Sequence, residues 1–165
     1  MTHMDGSTYE RICQKGSGLI EVVIASSMLV TIVVATVGAF QLYMRLASAD
    51  RDRAHAATLT QEAAEALQFM RDEDWDTIGS LSLSTPYQLS WTGDSYVATT
   101  SDVLLDGKYI RTLTLSALLR DGSDNVATSG TTDTGGRRVI IGVFASSSTS
   151  TIMSSEFLIH DLYAE

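Results

Sequence analysis

The hydrophobic pattern of this chain changes twice. Gly18–Met44 reads GLIEVVIASSMLVTIVVATVGAFQLYM, a stretch whose only charge is Glu21, and the 23 residues Val22–Met44 carry none. As a helix these 23 residues reach about 35 Å, against roughly 30 Å for the hydrocarbon core of a bilayer. The run exceeds the apolar part of a secretory signal, roughly 7–15 residues, and no A-x-A box follows it. It predicts a membrane-crossing helix over residues 17–44. From Arg45 the period becomes helical and one-sided. Leu46, Ala49, Ala56, Ala63, Leu67 and Met70 form one stripe, with Arg45, Asp50, Asp52, Glu62 and Arg71 mainly off it. The helix therefore continues, amphipathic, over residues 45–72 and loses its period in the acid cluster Asp72-Glu73-Asp74-Trp75-Asp76, where Trp75 is expected to tuck back onto the head.

After Ser84 the period is two. Tyr87, Leu89 and Trp91 point one way, Thr92-Gly93-Asp94 turns the chain, and Tyr96 and Ala98 begin a return strand. Ile110–Leu119 alternates Leu113, Leu115 and Ala117 with Thr112, Thr114 and Ser116. Asp121–Gly136 reads as a loop, and Val139–Ala145 and Glu156–Tyr163 as strands joined by a hairpin around Ser146–Ser150. Strands that follow a helix, rather than alternate with helices, indicate an α+β fold. The expected architecture is a long N-terminal helix, membrane half then amphipathic half, packed on an antiparallel β-sheet head over residues 45–165. Leu113, Leu115, Val139 and Ile141 should face the stripe of Leu46–Met70.

Charge narrows the range of functions. With 20 acidic and 11 basic residues the net charge is −9, which disfavours broad binding to nucleic acid or anionic lipid, and no specific nucleic-acid site is evident. One cysteine, Cys13, excludes an intramolecular disulfide. His3, His55 and His160 lack zinc spacing, and no nucleophile elbow, P-loop or dinucleotide fingerprint occurs. Asp121-Gly122-Ser123-Asp124-Asn125 approaches a calcium loop, but Val126 and Thr132 stand where the loop needs Gly and Glu, so a turn is the better reading. The acids of 72–76 read as a solvated face, and Arg137-Arg138 as protection of a sheet edge. No enzyme activity, cofactor or metal site is expected.

Three features exceed what a plain anchor needs. Glu21 opens the apolar run, and an acid at a bilayer centre costs about 2.5–3.5 kcal/mol. Lys15-Gly16-Ser17-Gly18 is a glycine-rich hinge where a protease could grip extended backbone. The helical period does not stop at the end of the apolar run but continues into the amphipathic half. Within the membrane half, Gly38 is either its weak point, costing about 1 kcal/mol relative to Ala, or a small-residue packing contact.

The stretch Lys15-Gly16-Ser17-Gly18-Leu19-Ile20-Glu21-Val22 resembles the processing signal of type IV pilins and pseudopilins: a short charged leader ending in Gly, then an apolar helix with Glu at its fifth residue. The Arg71-Asp72-Glu73-Asp74-Trp75 segment is similar to the helix end in one branch of pilin-like proteins. The resemblance implies a pilin-like fold, a leader 1–16 removed by prepilin peptidase between Gly16 and Ser17, and methylation of the new Ser17 amine. It also implies that Glu21 meets the terminal amine of a neighbouring subunit during assembly. Cleavage leaves no cysteine in the mature chain. The implied partners are other pilin subunits in a homo- or hetero-oligomeric filament, the peptidase, the pilus assembly machinery and, before assembly, the membrane. The implied location is the cytoplasmic membrane, crossed once with the head outside, and then a surface pilus. A membrane-tethered surface binding module and a type II secretion pseudopilin remain the alternatives.

Overall fold

Backbone hydrogen bonding carries one helix, α1, from Ser7 to Glu73. The computed structural model describes residues 7–162, with side chains from Gly18 onward. Lys15–Gly18, expected as an extended hinge, is helical instead. Each residue added to a formed helix gains a hydrogen bond, and that gain outweighs the cost of two glycines, about 1 kcal/mol each.

The chain divides into two compact units, one ending at Ala49 and one beginning at Asp50. In the first, every residue from Gly18 to Leu46 is exposed. Among the described residues one helix is long and apolar enough to cross a membrane. The four Ser and Thr hydroxyls of its uncharged run bond back to the helix: Ser26 Oγ to the Val23 carbonyl, Ser27 Oγ to that of Ile24, Thr31 Oγ1 to that of Ser27 and Thr36 Oγ1 to that of Ile32, at 2.8–2.9 Å. Such groups carry no unmet hydrogen bond into lipid. The helix passes through Gly38 without interruption.

The second unit sets the end of α1 and a one-turn helix, α2 (Asp76–Gly79), against a seven-stranded antiparallel sheet, giving the α+β fold. The strands are β1 (Pro86–Trp91), β2 (Tyr96–Thr99), β3 (Leu104–Leu105), β4 (Tyr109–Arg120), β5 (Val126–Ala127), β6 (Thr131–Ala145) and β7 (Thr151–His160). Their order is β2-β1-β4-β6-β7, with β3 and β5 also on β4. The core joins Ala63, Ala66, Leu67 and Met70 of α1 to Leu113 and Leu115 of β4 and Val139 and Ile141 of β6, as the alternation predicts. Leu46 and Ala49 are exposed, so the buried stripe starts at Ala56 and takes in Leu59 and Thr60. Trp75 packs on this core, and the Arg137 guanidinium lies 5.9 Å from its ring centre.

Two expectations for the sheet change. The alternation of β4 is expected to continue through Ala117, but the register with β6 shifts between Ala117 and Leu118, and Leu118 is the residue fully buried. Asp121–Gly136, expected as one loop, contributes β5 and the first six residues of β6. Thr131, Thr132 and Asp133 pair with Arg120, Leu119 and Leu118, a long-range partner that polar composition conceals. Arg137 and Arg138 are therefore on an inner strand, not an edge. Arg137 donates to the Thr134, Gly136 and Gly79 carbonyls, and Arg138 pairs with Glu156 at 3.1 Å.

Gly130 has φ +146°, and a Cβ there would fall 2.0 Å from the Arg120 carbonyl oxygen. Gly130→Ala is expected to destabilise the head by about 1–3 kcal/mol, read as a lower urea midpoint at unchanged slope; an unchanged midpoint contradicts the strain. Because the core lies entirely beyond Asp50, a fragment lacking Met1–Arg45 is expected to fold as a soluble monomer with a cooperative melt, and a protease-sensitive fragment without one contradicts it.

Candidate functional site

The residues singled out in the sequence lie in separate places. The Gly16–Ser17 junction falls in backbone that α1 includes, but the side chains of Cys13, Lys15 and Ser17 are outside the described residues, as is His3. Glu21 stands on α1 beside a shallow groove it shares with Ile20, Ile24, Ala25 and Met28. Among the described residues it has no hydrogen-bond or ion-pair partner. At 3.6 residues per turn, Ser17 is one turn before it, with about 6 Å of rise between their Cα atoms. Gly38 is an open notch: beyond its own turn of helix, none of the described residues comes within 4 Å of where its Cβ would be.

The acid cluster does not converge. Among the described residues no three His, Cys, Asp or Glu side chains are placed to hold a metal. In the Asp121 turn, one carboxylate accepts from the backbone N–H groups of Asn125 and Ser123, at 2.9 and 2.8 Å, which holds its pKa below the usual carboxylate value. The carboxylate thus closes the turn. His160 stands 4.0 Å from Asp133. His55 is half-buried, bonds Asp106 at 2.8 Å and packs against the Tyr109 ring.

Two assemblies were not legible beforehand. The first joins α1 to the start of β4: Asp52 accepts from Lys108 Nζ at 2.6 Å and from the Tyr109 hydroxyl at 2.8 Å. The Lys108 hydrogen bond, then that of Tyr109, lowers the Asp52 pKa, and Asp52 raises that of Lys108. The residues stand 56 positions apart, and the only sequence signal is a lone acid near the buried face. The second is an open groove of about 500 Å³ between α1 and the β1–β2 hairpin, lined by Glu62, Glu65, Ala66, Phe69, Trp91 and Tyr96. Trp91, expected on the same side as Leu89, is 53% exposed, because β1 pairs with β4 only at Pro86 and Tyr87 and at Trp91 is paired with β2 alone. Tyr96 meets both other rings, with centroids 4.8 Å from Trp91 and 6.2 Å from Phe69 at steep interplanar angles.

The carboxyls of Asp52 and Asp133 are both held low, the latter chiefly by the Arg120 hydrogen bond at 2.7 Å. A depressed folded-state pKa contributes stability above the unfolded value, about 4, and loses it as pH falls through the folded one. Lys108, raised, contributes below about 10 and loses it as pH rises beyond. The melting temperature of the head is therefore expected to fall below about pH 4, less steeply in Asp52→Asn. Identical acid limbs in wild type and variant contradict this.

No protein-family model matches the chain, and no curated protein or solved structure matches it.

Proposed function

We propose that this chain is a structural subunit of a type IV pilus or related filament, processed after Gly16 and assembled by bundling of its N-terminal helices. The observation that carries the reading is Glu21, a carboxylate with no partner among the described residues, at the head of 23 uncharged and wholly exposed residues. That surface needs lipid or other helices to cover it, and the carboxylate needs a cation. Cleavage before Ser17 creates one within a helical turn. Either charge alone is costly in a low-dielectric surround, and a well-placed pair recovers much of the cost. The positive end of the shortened helix favours the ionised carboxylate. Bonding between the amine of one subunit and Glu21 of the next sets an axial register as each helix leaves the membrane. A secretion pseudopilus would use the same chemistry. The tethered binding module draws support from the aromatic groove of the head, but it gives Glu21 no task.

Two variants test the reading. Gly16→Val adds a side chain where the peptidase must take backbone, so the full-length precursor is expected to accumulate in the membrane. Mature-length product from that variant, measured by intact mass, rules out this cut. Glu21→Ala is expected to be inserted and cleaved normally yet to enter sheared surface filaments poorly, with Glu21→Asp intermediate. Wild-type incorporation of Glu21→Ala makes the carboxylate incidental and the tethered module the better reading.

A further inference from the structure

We infer that the groove between α1 and the β1–β2 hairpin is a binding site for a quaternary ammonium group. Three aromatic rings of a chain that is only 7% aromatic meet here, and two of them, Phe69 and Trp91, are 46% and 53% exposed. Large aromatic surface left in water at a concave site marks a ligand rather than a core. The remaining wall carries Glu62 and Glu65, so the groove is negative as well as aromatic, and both properties attract a cation.

The rings select the kind of cation. Three aromatic side chains line the groove beside two carboxylates that also hold Gln61 Nε2 at 2.9 Å and the buried Arg111 guanidinium at 3.4 Å. A primary ammonium brings three N–H donors and a guanidinium five, and ring faces are poor partners for such donors but good ones for apolar methyl groups. A quaternary ammonium brings no such donor. Its diffuse charge is stabilised by ring faces and by carboxylates that need not touch it. Choline-type groups occur both as free solutes and as phospholipid headgroups, and the groove recognises the chemistry they share.

The test uses the full-length chain in maltoside micelles, which contain no choline, with binding read by calorimetry and by saturation transfer to the ligand methyls. Choline is expected to bind saturably, and 3,3-dimethylbutanol, its neutral isostere, about fivefold or more weaker. Trp91→Ala, at an exposed position, should weaken choline about fivefold or more. Glu65→Gln should weaken it less, by an amount that shrinks as salt is raised. Tyr96→Ala, which also contacts the core, is interpreted only where its melt is cooperative. Phosphatidylcholine vesicles that compete with free choline identify the headgroup as an accessible source, and vesicles that do not compete restrict the site to the free solute. Equal binding of the neutral isostere, unchanged affinity in Trp91→Ala, or no saturation with choline overturns the proposal. Arginine amide binding where choline does not overturns it in favour of a guanidinium, such as the exposed Arg51 of a second copy.

Discussion

Burial of one face of α1, from Ala56 to Met70, is the contact on which the rest of the head depends. Alanines at 56, 63 and 66 bring the helix backbone close to the sheet, while Leu59, Leu67 and Met70 fill the space between. The face is matched by every second residue of β4, so Tyr109, Arg111, Leu113 and Leu115 are all buried against it. Arg111 takes a position that an aliphatic residue could fill, and its charge is met where it lands: Nη1 donates to the Leu59 carbonyl at 2.9 Å and faces Glu62. A buried cation of this kind adds little net stability but makes a wrong register expensive, since sliding α1 along the sheet would strand it. The Asp52–Lys108–Tyr109 cluster holds the same register at the other end of the contact.

The end of the helix is fixed by a second device. Arg137, reaching from β6, bonds the Gly79 carbonyl at the end of α2 and places its guanidinium near the Trp75 ring. The chain thereby turns from helix to sheet around one stacked cation. The acids of 72–76 remain on the solvent side, and the apolar parts of Trp75 and Ile78 are covered.

Much of this is written in local pattern. The uncharged run, the amphipathic continuation, the Thr92–Asp94 turn and the alternation of Leu113 and Leu115 each depend on residues a few positions apart, which is what periodicity can see. What escaped depends on distant partners. Thr131–Gly136 has loop composition and becomes strand because Leu118–Arg120 offers a ladder; Leu118 replaces Ala117 in the core because of a bulge between paired strands. Leu46 and Ala49 satisfy the helical stripe, but no sheet reaches them. The aromatic groove was hidden for the same reason, since Trp91 obeys strand alternation on a stretch of β1 that has already parted from β4. Glu21 was legible because an acid in an apolar run is anomalous at sight.

The four hydroxyls folded back onto the apolar half of α1 have a consequence for selectivity. Ser26, Ser27, Thr31 and Thr36 spend their donors on their own carbonyls, so the surface they belong to offers few polar marks by which one helix could tell another from lipid. Whatever covers this stretch meets contour and one amide, Gln41, rather than charge: the notch at Gly38 and the bulk of Phe40 and Tyr43. Under the proposed filament reading, the carboxylate of Glu21 would be the single address on an otherwise unaddressed, slippery shaft.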